Sequence, residues 1–290
     1  MTSLKTTYTG IQSSDPDISP LDIATQNTIL LHKAKMKFKG MDTLSKHVPE
    51  LNSTGGKIRI TLYAIFLLTL VTAYFIITDN IPTWSIDSQI IITALGFIVM
   101  SLFFSRKLTY KGKYKELAYR NAFAHFGMPG LALIFAVIAH ARYMNGPFIP
   151  PGWWTIVFLA LGWFLFCIGT ILCIRSILAF GADNLALLYV YYPEESKIID
   201  SSIYSVLRHP IYAGLLRVGI GLALLNGNAN AIAFAILLPL GFTGWIRLVE
   251  EKELIERFGQ SYLDYRRRTP AFWLRLSDLG IFFTFIFTGR

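Results

Sequence analysis

Arg208-His209-Pro210-Ile211-Tyr212-Ala213-Gly214 opens an apolar run that continues to Leu225, Asn226-Gly227-Asn228 interrupts it, and a second run from Ala229 returns to Arg247-Leu248-Val249-Glu250-Glu251. Three turn-forming residues between two apolar runs describe a helical hairpin with antiparallel arms. Each arm approaches the roughly 20 residues that an α-helix needs to cross about 30 Å of hydrocarbon, where no water satisfies a backbone. The polar residues of both arms then collect at one membrane boundary. Such a place faces water for one reactant and lipid for another.

Working outward, four more apolar runs follow the same pattern: Ile58–Ile77, Ser88–Phe104, Phe126–Tyr143 and Trp153–Phe180. With 53% apolar, 14% aromatic and 16% charged residues among 290, the chain does not have the composition of a soluble globule. The expected fold class is all-α, a polytopic membrane helical bundle of about six transmembrane helices with a cytoplasmic C-terminal helix. The net charge of +9 is topological and calls for no nucleic-acid partner, because the basic residues flank apolar spans. Between spans two and three lie Arg106, Lys107, Lys111, Lys113, Lys115 and Arg120, whereas the connection after span one holds Asp79 and Asp87 and no Lys or Arg. The positive-inside rule then puts both termini, the 105–125, 181–209 and 248–276 segments in the cytoplasm.

Four segments follow from this reading. Residues 1–57 are a polar N-terminal cytoplasmic segment, 58–150 the N-terminal transmembrane helices, 151–276 a membrane core, and 277–290 a short apolar tail. In the first segment Ser19-Pro20 suits a helix start, and Leu30, Leu31, Ala34, Phe38 and Met41 recur at helical spacing among lysines. A membrane-surface helix and a solvated tail are equally compatible with that pattern. The first apolar run begins too late for a cleavable signal peptide. Cys167 and Cys173 lie inside one span without metal or redox spacing and read as packing residues. No metal is expected.

Pro210 suits the first helical turn and pushes His209 toward an extended conformation, so the free N–H groups of that helix sit at the boundary beside Arg208 and His209. Arg247 and Glu251 are four apart and share a face on a regular helix. An arginine beside paired glutamates suits a carboxylate and a cation held together. Headgroup anchoring and a helix-exit ion pair are the competing explanations. Arg217 is unusual inside a span, with a phosphate contact, an internal ion pair and snorkelling as its readings. Arg175 and Asp183 form a possible pair, Gly214, Gly219 and Gly221 make a smooth helix strip, and Trp153 and Trp154 read as interfacial anchors.

Arg208-His209-Pro210-x-Tyr212-x-Gly214, then Arg247-x-x-Glu250-Glu251-x-x-Leu254, Phe258-Gly259-x-x-Tyr262-x-x-Tyr265 and Arg268-Thr269-Pro270 together resemble the signature of the isoprenylcysteine carboxyl methyltransferases, and phospholipid N-methyltransferases share parts of it. The resemblance covers roughly residues 165–275; the first 150 residues add only spans. It implies a helical-bundle enzyme that binds S-adenosylmethionine in a cytoplasm-facing pocket, and no Gly-rich dinucleotide fingerprint occurs. By the same resemblance Arg208, His209, Tyr212 and Gly214 belong to the cofactor site, Glu250 or Glu251 holds the cofactor, and Tyr262, Tyr265 and the 268–270 turn close it. Arg247 and Glu251 carry catalysis, Arg247 orienting an acceptor carboxylate. The acceptor is a lipid or prenylated molecule. Where the family has Gly-Pro-Tyr, this chain has Ser201-Ser202-Ile203-Tyr204, keeping only the tyrosine. Alternatives are an aminophospholipid or thiol acceptor, an NADPH-dependent sterol-type reductase, and a non-catalytic scaffold or transporter. Oligomeric state is not legible.

Overall fold

A computed structural model describes residues 38–289, so the expected helix start at Ser19-Pro20 and the amphipathic run from Leu30 as far as Lys37 lie outside the described residues. Every regular element among the described residues is helical. In chain order they are α1 (Met41–His47), α2 (Thr54–Thr78), α3 (Ser85–Ser105), α4 (Lys107–Tyr114), α5 (Ala118–Ala122), α6 (Met128–His140), α7 (Trp153–Phe180), α8 (Ala182–Leu185), α9 (Pro210–Asn226), α10 (Ala229–Trp245), α11 (Glu251–Phe258), α12 (Gln260–Arg268) and α13 (Leu279–Thr288).

Two π-helical turns, Phe123–Gly127 and Ile246–Glu250, join α5 to α6 and α10 to α11, so that Lys107–His140 and Ala229–Phe258 run as long helical segments. With α2, α3 and α7 they make five segments long and apolar enough to cross a membrane. This is a membrane helical bundle. The sixth expected span, α9, has 17 residues and is shorter than the other five. At 1.5 Å per residue it covers about 26 Å, less than a full hydrocarbon core.

Sequence explains where α9 and α10 begin and end. Pro210 occupies the first turn of α9, and His209 before it is at φ −124° and ψ 64°, outside the helical region as a residue preceding proline should be. Gly227 ends α9 at φ 79°, a left-handed position that glycine takes without steric cost. The Asn228 side chain then accepts from Ala231 N, capping α10. The Asn226-Gly227-Asn228 turn therefore makes the hairpin that the sequence implied.

Glycines set how closely α9 lies on α7. A Cβ on Gly214 would come 2.6 Å from Cys173 Sγ and 2.8 Å from Gly169 O, and one on Gly221 would come 2.7 Å from Gly162 O. The two backbones touch at two levels, an arrangement open only to small residues. The Cys173 thiol donates to Ile211 O at 3.3 Å across the same contact. On its other sides α9 packs on α10 and α6, and Leu216, Ala213, Phe234, Phe242 and Val137 fill the core between them.

The C-terminal tail folds back as α13 against α7, burying Phe282, Phe285 and Ile286. Arg175 reaches it, donating to Phe287 O at 3.1 Å. Asp183 instead accepts from Tyr189 OH at 2.5 Å, so the suggested Arg175–Asp183 pair does not form. Among the described residues Arg217 takes part in no ion pair. Its guanidinium donates to Ala213 O at 2.7 Å and Phe272 O at 3.2 Å and lies over the Trp273 ring, so the cation is satisfied by carbonyls and an aromatic face.

Candidate active site

The Arg208-His209-Pro210 segment is held in place by the turn that follows α12. Arg208 N donates to Pro270 O at 2.9 Å and His209 N to Ala271 O at 3.2 Å. The Arg208 side chain is wholly committed. Its Nη2 donates to Glu251 Oε1 at 2.6 Å, Nε to the same oxygen at 3.2 Å, and Nη1 to Arg266 O at 2.9 Å and to Thr269 O. Glu251 is 1% exposed and also receives His209 Nε2 at 3.3 Å, with Arg266 Nε 3.4 Å from its Oε2. Arg208 and His209 thus bond one oxygen of a buried carboxylate, and the Arg266 charge lies beside the other, Oε2, which accepts no hydrogen bond among the described residues.

The π-helical turn decides what each glutamate faces. A regular helix would put Arg247 and Glu251 on one face, but the extra residue of Ile246–Glu250 rotates the register between them. Arg247 is exposed and has no hydrogen-bond or ion-pair partner among the described residues, while Glu251 points inward. Face-sharing between the two expected catalytic residues is therefore corrected. Glu250, one residue earlier, lines a cavity that Glu251 does not line. His209 stands between them, with Nδ1 3.8 Å from Glu250 Oε1.

That cavity has a volume of about 120 Å³ and has a polar and an apolar end. Arg208, His209, Tyr212, Glu250, Tyr204, Tyr189, Asn184 and the pair Glu253–Arg257 line the first. Met100, Phe104, Leu131, Phe135 and Leu215 line the second, with Phe135 45% exposed on the bundle surface. Glu250 Oε2 and Tyr204 OH are buried at the polar end without a hydrogen-bond partner among the described residues. Buried polar atoms are almost always satisfied in a folded protein, so these two leave room at the cavity for a partner from outside the chain.

Of the residues expected at the cofactor site, Arg208, His209, Tyr212 and Glu250 line the cavity, and Gly214 does not, because it is the contact with α7. Tyr262 and Tyr265 are buried behind the cavity. Tyr265 OH donates to Tyr204 O at 2.6 Å, and Tyr262 OH has no partner. Burial pushes both phenols up, and the Glu251 and Glu250 carboxylates add to the rise at Tyr262, so both stay protonated donors. Ser202 sits at φ 54°, the left-handed region that favours glycine, which is the residue the family pattern has at this place. Tyr204 keeps its position regardless, stacked on Phe180 at 5.1 Å.

Sequence reasoning missed two groups. Glu253 and Arg257, an i,i+4 pair on α11, did not enter the sequence reading, yet Glu253 is 7% exposed and both line the cavity. Met100, Phe104, Leu131 and Phe135 come from helices thought to add nothing beyond spans. No local pattern marks them, since apolar side chains that face a cavity and those that face lipid have the same composition. Among the described residues no group of three or more His, Cys, Asp or Glu could hold a metal ion.

Residues 157–261 match the family described as phospholipid methyltransferase. The chain is 29% identical over 148 residues to protein-S-isoprenylcysteine O-methyltransferase B of Arabidopsis thaliana, covering 51% of this chain and 72% of that protein. It is 32% identical over 79 residues to the protein-S-isoprenylcysteine O-methyltransferase of Schizosaccharomyces pombe, covering 27% of this chain and 33% of that protein. It is also 33% identical over 92 residues to the nickel-cobalt-cadmium resistance protein NccN of Alcaligenes xylosoxydans xylosoxydans, covering 31% and 42%. No solved structure matches the chain. Residues 157–261 thus resemble a phospholipid methyltransferase domain, and about half of the chain is similar to a protein-S-isoprenylcysteine O-methyltransferase.

Proposed function

We propose that the protein transfers a methyl group from S-adenosylmethionine to an acceptor embedded in the membrane, most simply a prenylcysteine-like carboxylate. The single observation that carries this reading is the two-ended cavity, with an orphan carboxylate oxygen of Glu250 at its polar end and an apolar wall from α3, α6 and α9 at the other. A buried carboxylate beside Tyr212 and Tyr204 fits a sulfonium cation and its ammonium group, as anions and aromatic faces both favour positive charge. When bound, that cosubstrate supplies the electrophilic methyl group. The chain's own contribution is placement: His209, Tyr212 and Glu250 hold the polar end, Arg208 and Glu251 fix His209 from behind, and the apolar wall excludes water.

A carboxylate acceptor is ionised near neutral pH and asks for no general base. Arg208 and Arg257 are committed to Glu251 and Glu253, which leaves the exposed Arg247 to meet an anionic acceptor group at the edge of α10. The match to phospholipid methyltransferases favours a second reading, N-methylation of an aminophospholipid, in which Glu250 or His209 takes the amine proton. Both readings place the polar end in the cytoplasm, where the positive-inside rule puts it.

The test uses membranes containing the full chain, S-adenosylmethionine labelled in its methyl group, and a prenylcysteine analogue. The expected product is a base-labile ester that releases labelled methanol. A base-stable label in the lipid amine fraction would select the second reading. Absence of methyl transfer together with saturable NADPH binding would replace both with a reductase.

A further inference from the structure

A second cavity lies where α2 begins, bounded by α1, the Glu50–Leu51 turn, α5 and the first π-helical turn. Its volume is about 330 Å³, and Leu44, Val48, Leu51, Ile60, Phe123 and Met128 make its walls apolar. The methyl-transfer reading does not use it. Two guanidinium groups border it. Arg120 Nη2 is 2.6 Å from Glu50 Oε1, while Arg59 is exposed and has no partner among the described residues.

The other polar groups around the cavity are informative in what they lack. Tyr63 OH donates to Ala124 O at 2.9 Å and Tyr119 OH to Ala186 O at 2.9 Å, so both phenols are spoken for. Glu50 Oε2 is buried and receives no hydrogen bond. The site therefore offers a free cation, an acceptor in need of a donor, and a long apolar wall, all at the start of a membrane span. A phosphate diester suits the guanidinium, a hydroxyl-bearing headgroup suits the Glu50 oxygen, and an acyl chain suits the wall.

We propose that this cavity binds one anionic phospholipid with a hydroxyl-bearing headgroup, its phosphate at Arg59 and Arg120 and its headgroup donating to Glu50. The proposal stands independently of the methyl-transfer reading. Ala186 borders this cavity, while its neighbours Asn184, Leu185 and Leu187 line the first one, so a single stretch of backbone walls both. Leu187 holds φ 55° in that stretch, a conformation side chains other than glycine rarely adopt.

The experiment is native mass spectrometry of the detergent-purified full chain titrated with phosphatidylglycerol, phosphatidylcholine or sn-glycerol 3-phosphate. One phosphatidylglycerol should bind about tenfold more tightly than either of the others, a difference of about 1.4 kcal/mol. Arg59→Ala should remove most of that preference, and Leu51→Trp, which fills the apolar part, should weaken phosphatidylglycerol binding by a similar factor. Because Arg59 is exposed and unpartnered, its variant tests binding without threatening the fold. Equal binding of phosphatidylcholine would overturn the role of Glu50, and equal binding of glycerol phosphate would make this a free-phosphate site. Unchanged affinity in both variants would overturn the site itself.

Discussion

Two buried polar clusters lie at opposite ends of α9 and its neighbours, and they are built to different ends. Away from Arg208, the His140 ring stacks on Phe75 at 3.9 Å, with its Nε2 2.9 Å from Asp79 Oδ2 and its Nδ1 2.9 Å from Gln89 Oε1. Gln89 in turn donates to Val137 O at 2.7 Å. This network ties α2, α3 and α6 together and borders no cavity described above. Each cluster leaves acceptors without a partner among the described residues, Asp79 Oδ1 in the first and Glu250 Oε2 and Tyr204 OH around Arg208, but Glu250 and Tyr204 line the cavity and Asp79 does not. A polar cluster packed between helices away from any such cavity holds them together. One that keeps acceptors in reserve at a cavity is arranged for a ligand.

The largest test of this contrast removes Arg208. Arg208→Ala strands the Glu251 carboxylate in a buried position and should cost about 3–5 kcal/mol, read as a fall in the thermal unfolding midpoint in detergent. Replacing both partners, Arg208→Met with Glu251→Leu, should restore most of that stability and no methyl transfer, because His209 loses the acceptor that orients it. Recovered transfer in the double variant would mean that the pair serves the fold alone.

Glu250→Gln keeps the shape and removes the charge. Methyl transfer should fall at least about 100-fold, equivalent to about 2.7 kcal/mol, with the unfolding midpoint unchanged or raised. At the other end, His140→Leu should reverse the pattern, lowering stability by about 2 kcal/mol while turnover per folded molecule is preserved. If both variants acted alike on turnover, the distinction between the clusters would fail.

Smaller effects refine the site. Arg247→Ala should raise the acceptor KM about fivefold, roughly 1 kcal/mol, with kcat unaltered, as expected of a group that binds without entering the chemistry. A fall in kcat would place Arg247 closer to the reacting atoms than its exposure suggests. Ser202→Gly relieves a left-handed serine and should raise stability by about 1 kcal/mol without changing turnover. No gain would mean that the local contacts already compensate for the strained backbone.

Sequence by itself determined the helical spans, the Asn226-Gly227-Asn228 hairpin and the gathering of Arg208, His209, Tyr212 and the two glutamates at one end. These follow from local rules: apolar length, turn residues, and a proline that starts a helix, each legible within a few residues. Tertiary structure decided the rest. Which glutamate faces the cavity turns on one π-helical residue, which shifts the register that simple i,i+4 counting assumes. Gly214 went to the contact with α7, and Met100, Phe104, Leu131 and Phe135 to the cavity wall, through packing between segments far apart in sequence. An apolar side chain carries no mark of whether it will meet lipid, core or substrate, because the same hydrophobic free energy favours all three, and only the approach of other helices distinguishes them.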